Sequence, residues 1–467
     1  MADTTKSGTA VADVLVHHIN QDFQNPPVKL GTSGGNANDK TTSNNKVFCC
    51  SGTLGSLLSR GGNFYVLSNN HVLDKSDQGT PGDPISQPGL ADTNCGQHPN
   101  TIVANLTQAA TLNPSTNVDA AMGKVVAGDV DPSGAILDLA APGQPAPPSN
   151  TLGTPAVGQS VAKSGDATGL TCSTVTAINV TVLVKYQTQC QGGTEFSVTF
   201  NNQVAVNGGS FSNNGDSGSL IVTADSARPL ALLYAGSSTG TVGNPIRDVL
   251  SALKDPQTSE VPTMVGGVDH AVSCPATPQS QLAGNHVATT AAISESALAK
   301  AMAVMRLHSA ELMQNSAVMD VGVGRSDDNP IEPAILVFLN GQPGKNIPAQ
   351  LDGVRTRIIY ASQFRPSQNS VGENAIPPSI AESEVARARA VKERHAESLM
   401  SKKGIFGIGV GASNDSLGEG AVLIFVERGK QVTIPVEIDG VRTRVIEGEP
   451  FRAFNWGKRT VNACSRR

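Results

Sequence analysis

The sequence predicts an all-β double β-barrel followed by two copies of a small α+β domain, and three observations carry that reading. Between about residues 46 and 254, short runs of Val, Ile, Thr and Leu, such as 174–184 and 195–206, are broken by Gly, Asn, Pro and Ser, the punctuation expected of packed barrels. Beyond residue 293 the chain repeats itself. Leu351-Asp352-Gly353-Val354-Arg355-Thr356-Arg357-Ile358 returns 87 positions later, from 351 to 438, as Ile438-Asp439-Gly440-Val441-Arg442-Thr443-Arg444-Val445. The same offset relates His308 to His395, Leu312-Met313 to Leu399-Met400, Gly322-Val323-Gly324 to Gly409-Val410-Gly411, Phe338 to Phe425 and Phe364-Arg365 to Phe451-Arg452, and a constant offset means two copies of one unit. Third, each copy switches period: a long charged-amphipathic stretch, 294–315 or 380–402, reads as a helix, and three strand-like runs ending in the Asp-Gly turn follow it.

These signals divide the chain in order. Residues 1–45 hold a helix-like stretch, Val11 to Ile19, and then a Gly/Asn/Thr/Ser-rich segment expected to be mobile. Residues 46–255 form the barrel body, which closes with Asn244-Pro245-Ile246-Arg247-Asp248-Val249-Leu250, where Pro245 suits the first turn of a short helix. A polar, Pro-containing linker spans 256–292, the copies occupy 293–376 and 377–455, and 456–467 is a tail.

Bulk properties exclude several classes. A net charge of -5 over 467 residues, with no Lys/Arg cluster, argues against a nucleic-acid partner, and no apolar run reaches membrane length. The amino terminus lacks an apolar signal region, so a cytoplasmic protein is expected, with export by another route left open. Seven cysteines, an odd number without Cys-x-x-Cys spacing, read as mostly reduced thiols, though Cys172 and Cys190 flank a hairpin and would pair on export. Cys95 and His98 have metal-like spacing but no second pair, so neither a metal nor another cofactor is expected.

The chemistry concentrates at Asn214-Gly215-Asp216-Ser217-Gly218-Ser219. A serine between glycines can present its hydroxyl as a nucleophile, but near its free pKa it needs a base and a carboxylate to orient that base. Upstream, His71 follows the apolar run Phe64-Tyr65-Val66-Leu67, and Asp119 stands before Ala120-Ala121; Asp129, Asp131 and Asp138 follow closely enough to compete for the same role. The order His, Asp, Ser excludes the α/β-hydrolase and subtilisin arrangements, and Ser219 also breaks the Gly-x-Ser-x-Gly elbow of the hydrolases.

From about 46 to 254 the chain resembles a trypsin-like (chymotrypsin-fold) serine endopeptidase of the leaderless bacterial type, and more loosely the plant narrow-leaf type of trypsin-like protein. The motifs are Ser51-Gly52-Thr53-Leu54-Gly55, Asn70-His71-Val72, Val118-Asp119-Ala120 and Gly215-Asp216-Ser217-Gly218, supported by Lys163 to Thr171 and Ala231 to Ser238. The resemblance implies a protein or peptide substrate attacked by Ser217, with His71 as general base and Asp119 orienting it, and an oxyanion hole of the Gly215 and Ser217 backbone N–H groups. Phe211, Gly236 and Ser237 would line the substrate pocket, and Phe211, where trypsins carry an aspartate, points to neutral side chains at the cleavage site.

The chain departs from the family pattern in other ways. No basic residue before position 46 is followed by a segment suited to insertion beside Asp216, so a preformed site without zymogen cleavage is expected. The disulfide usual near the catalytic histidine is expected to be absent. For the repeats, His308 and His395 read as packing residues beside Leu and Met, and Gly-Val-Gly as a glycine-requiring strand. Substrate binding, coverage of the cleft and self-association stand as three readings of this half. A catalytically silent scaffold and an esterase are the alternatives for the whole chain.

Overall fold

The computed structural model describes residues 18–462 apart from 44–45, 97–100, 191, 209–210, 238–239, 275–292, 330, 340–346, 361–379, 417 and 454–460. Most of the expected Val11–Ile19 helix, His17, His98 and Cys464 lie outside the described residues.

The first lobe is a rolled sheet of eight strands. Its order is Thr263–Met264, Ser56–Arg60, Asn63–Ser68, Ala121–Val125, Ile102–Ala109, Pro84–Ser86, Thr32–Asn36 and Gly52–Leu54. The last strand of that order is joined to the second through Gly55 alone, so the sheet curls back on itself around Leu54, Leu57, Val66, Leu67, Ile85, Val103 and Met122. Each such side chain contributes roughly 1.5–3 kcal/mol by leaving water.

Two expectations are corrected here. Thr32–Asn36 is a fully buried strand, although its Thr-Ser-Gly-Gly-Asn composition suggested a mobile segment. Its small residues reflect lack of room, since a Cβ on Gly34 would stand 2.4 Å from Leu54. The stretch past Asp255 is not a free linker either: Thr263–Met264 pairs with Ser56–Arg60, and Cys274 is bonded to Cys172.

The second lobe closes completely. Strands Ser160–Gly165, Leu220–Thr223, Pro229–Gly236, Gly240–Pro245, Gly192–Asn207 and Gly169–Gln189 pair antiparallel in that order, and the last returns to the first. The runs expected at 174–184 and 195–206 are the arms of the long hairpin in this ring. Helix Ile246–Ala252 follows, with Pro245 just before its first turn.

Two small α+β units complete the chain. The first has helix Glu295–Leu312 and strands Val318–Arg325, Pro333–Leu339, Gln350–Leu351 and Val354–Tyr360; the second has helix Glu382–Met400 and strands Ile405–Ala412, Gly420–Glu427, Glu437–Ile438 and Val441–Gly448. Every element of the second begins 87 positions after its counterpart, and both sheets share one strand order. The Asp-Gly turn does not end the strands. It takes positive φ at Asp352 and Gly353, +45° and +73°, as a two-residue hairpin requires, and leads into a further strand that lies parallel to Pro333–Leu339. His308 and His395 also depart from the packing role. Each meets the carboxylate of its own unit's turn, Asp352 or Asp439, at 2.9 Å.

The expectation of reduced thiols is likewise corrected. The six described cysteines form Cys49–Cys95, Cys50–Cys190 and Cys172–Cys274. Their sequence separations of 46, 140 and 102 explain why no local spacing announced them.

Candidate active site

His71 sits in the short helix Asn70–Leu73 at the end of strand Asn63–Ser68, and Asp119 stands just ahead of strand Ala121–Val125, the neighbour of that strand in the sheet. This adjacency brings them together. Asp119 Oδ2 lies 2.5 Å from His71 Nδ1, Asp119 Oδ1 accepts the His71 backbone N–H at 3.2 Å, and both side chains are fully buried. A carboxylate on Nδ1 selects the tautomer that leaves the other ring nitrogen basic. Of the competing carboxylates, Asp138 instead accepts the Gly143 N–H.

The second lobe holds Asp119 from behind. The Tyr186 hydroxyl donates to Asp119 Oδ2 at 2.9 Å, and the Asp119 N–H donates to Asn244 Oδ1 at 3.0 Å, with the Asn244 amide donating in turn to Gln203 at 2.7 Å. Burial, reinforced by the Asp119 charge, pushes the Tyr186 hydroxyl well above its ordinary value, so it remains a donor.

Ser217 is buried in the turn that precedes strand Leu220–Thr223, and its hydroxyl donates to Tyr234 O at 3.2 Å. Its carbonyl accepts the Thr53 N–H of the first lobe at 2.7 Å. Between the lobes there is space only for glycine at position 52: an added Cβ would lie 2.7 Å from Val72, the neighbour of His71, and 2.8 Å from Ser217 O. Gly215 has φ +108°, a conformation nearly closed to other residues, and a Cβ there would meet the Asp166 carboxylate at 2.7 Å.

Asp216 is the most heavily bonded carboxylate of the turn. It accepts N–H groups from Ala167, Thr168 and Asn213 at 3.0, 3.2 and 2.9 Å and the Thr168 hydroxyl at 2.7 Å. Lys163 Nζ stands 3.4 Å away, and both side chains are fully buried. Burial draws the Lys163 ammonium down from its ordinary value while Asp216 opposes that shift. Asp166, beside them, is pushed well above the carboxylate range by burial and then by Asp92, which favours its neutral form. Lys163, Tyr186 and Asn244 were missed as site residues. The one signal for Lys163 was a lone lysine in a barrel strand.

Of the pocket residues, Gly236 ends strand Pro229–Gly236 two positions past Tyr234, and Ser237 follows it with its N–H on Gly240 O at 2.8 Å. Phe211 is 1% exposed and packs in the core that includes Val161, Val175, Val206 and Ile221. Among the described residues no group of three or more His, Cys, Asp or Glu could hold a metal ion, and no helix is long and apolar enough to cross a membrane.

An antiparallel barrel that carries a buried His–Asp pair, facing another that carries a Gly-Asp-Ser-Gly turn, defines the chymotrypsin-like fold in the N-terminal half. Similar solved structures are a glutamic acid-specific serine protease that uses a histidine triad in substrate binding (21% identity over 48% of this chain and 97% of that one, TM-score 0.34), Thermobifida fusca protease A (17%, 50% and 98%, TM-score 0.32) and Cellulomonas bogoriensis chymotrypsin (16%, 46% and 91%, TM-score 0.30). No family model matches the chain, and no curated protein matches it.

Proposed function

We propose that the chain is a serine endopeptidase acting on protein or peptide substrates through His71, Asp119 and Ser217. In this reading Ser217 Oγ attacks the scissile carbonyl while His71 Nε2 takes its proton; the proton then passes to the leaving amine, and water releases the acyl group from Ser217 by the same base. Asp119 keeps the imidazole in the required tautomer and stabilises the imidazolium. The N–H groups of Gly215 and Ser217 receive the developing oxyanion, a contribution of roughly a hundredfold or more in rate for each donor.

The observation that carries the reading is the fully buried His71–Asp119 contact at 2.5 Å, set across Gly52 from the Ser217 turn. Lys163 supports the expectation of a site needing no zymogen cleavage, since it supplies an internal cation to Asp216. Three disulfides suit an oxidising compartment, which weighs against the cytoplasmic setting expected from the amino terminus.

The test is labelling of the intact protein with a fluorophosphonate, run beside hydrolysis of a denatured protein mixture. Labelling at Ser217, with both signals lost in Ser217→Ala, is the expected result. A folded protein that neither labels nor cleaves would return the chain to the silent-scaffold reading.

A further inference from the structure

Strand Pro229–Gly236 gives the candidate site an edge with a direction. The Tyr234 carbonyl accepts the Ser217 hydroxyl at 3.2 Å, so Ala235 and then Gly236 lead away from the nucleophile. That edge is occupied. The short strand Arg452–Ala453, just past the second α+β unit, pairs with it antiparallel, Arg452 opposite Gly236 and Ala453 opposite Ala235. From Arg452 to Ala453 the added strand therefore advances toward Tyr234 and the Ser217 hydroxyl.

The strand is held on its other side as well. Arg452 pairs in parallel with Lys185 of strand Gly169–Gln189, and the Lys185 N–H donates to Phe451 O at 3.3 Å. Its side chains alternate. Phe451 is 1% exposed, edge-on to Phe406 and Phe425 at centroid distances of 5.4 and 5.6 Å; Arg452 faces solvent; Ala453 is buried. Farther on, Val461–Asn462 pairs with Val47 and Lys46, in the strand Lys46–Cys49. The chain past the second unit is thus tied to strands of the second lobe and to one that precedes His71 in the sequence.

We propose that Phe451–Ala453 is an internal ligand of a peptide-binding edge, laid on Ala235–Gly236 and running toward the Ser217 hydroxyl, and that a substrate peptide displaces it before turnover. Main-chain pairing to an exposed edge gives affinity to any extended peptide, and a covalently attached segment competes at an effective concentration of about millimolar. The kind of outside partner this surface fits is an extended peptide with a small side chain opposite Ala235. The inference rests on the peptidase reading for its consequence, but not for its measurement.

The test uses the full chain in the Ser217→Ala background, where binding is read without catalysis. Arg452→Pro removes one backbone donor at a position whose side chain is exposed, and Ala453→Asp places a charge in a buried contact. A fluorescent synthetic peptide of sequence 447–453 is titrated against the parent and against both variants. At least tenfold tighter binding to either variant is expected, provided its melting temperature stays within a few degrees of the parent. In the Ser217-intact chain the same substitution should raise cleavage of long peptides at least tenfold. Equal binding by the parent and both folded variants would overturn the proposal. Tighter binding with no fluorophosphonate labelling of any Ser217-intact chain would leave the occupied edge standing and defeat the peptidase reading alone.

Discussion

The two α+β units share one element order and one 87-residue offset, yet they stand in different relations to the barrels. Strand Ile405–Ala412 of the second unit pairs with the barrel strand Gly169–Gln189, from Ala177 opposite Gly411 to Val182 opposite Gly407, so that its sheet continues the barrel. The equivalent strand of the first unit, Val318–Arg325, is the end of its own sheet among the described residues. Position 392 shows the difference in chemistry. Lys392 reaches Asn179 Oδ1 and Thr181 Oγ1 of the barrel at 2.9 and 2.8 Å, whereas the position 87 earlier is Met305. Internal pattern therefore determines how each unit folds, and a few contact residues determine where it docks.

What joins the two units is an exchange of equivalent groups, an isologous interface inside one chain. Arg355 donates to Thr443 O at 2.8 Å and Arg442 to Thr356 O at 2.9 Å; Ser326 donates to Asp415 at 2.8 Å and Ser413 to Asp328 at 2.7 Å. All four charged groups are buried. The largest effect is expected here: Asp415→Ala or Asp328→Ala strands buried partners and should cost about 3–5 kcal/mol in chemical unfolding. The symmetry predicts losses that agree within about 1 kcal/mol, despite the unequal docking of the units. A large loss from one and none from the other would break the equivalence.

Docking itself can be separated at one glycine position. A Cβ on Gly411 would stand 2.5 Å from the Thr176 carbonyl of the barrel and 2.8 Å from the Leu423 side chain, while the three atoms nearest a Cβ on its counterpart Gly324 all belong to the equivalent Leu336 side chain, from 2.7 Å. Gly411→Ala should therefore cost about 2 kcal/mol and raise hydrogen exchange along Ala177–Val182, whereas Gly324→Ala should cost less than about 1 kcal/mol. Equal losses would show that the barrel contact adds nothing.

The smallest effect is a pH dependence. Burial lowers the Lys392 ammonium to about 8. The unfolded chain then binds more protons between about pH 8 and 10.5, so stability should rise across that window, by about 1–2 kcal/mol. In Lys392→Met this rise should flatten, as measured by melting temperature from pH 7.5 to 10. A rise of the same size in Lys392→Met would assign it to another group.

Much of this was legible because it is local. The helices at 295 and 382, the arms of the long hairpin and the 87-residue offset each show in a window of a few residues. The motifs that hold His71, Asp119 and Ser217 are local too. The groups that brace them are not. Tyr186 lies 67 positions from Asp119 and Asn244 lies 125, and neither has a local pattern that marks it. Composition misled where the cause was packing: Thr32–Asn36 reads as loop, yet Gly34 is there because Leu54 leaves no space for a side chain. Phe211 is expected in the pocket because it stands where trypsins carry an aspartate, and that correspondence says nothing of how deeply the ring is buried.

Lys163 has a consequence for control. The cation beside Asp216 grows out of the barrel's own strand Ser160–Gly165, so the charge that steadies the serine turn arrives with folding. A turn braced this way keeps its shape for as long as the barrel stays folded. Under the peptidase proposal, restraint would act on what reaches Ser217 rather than on whether the turn is formed.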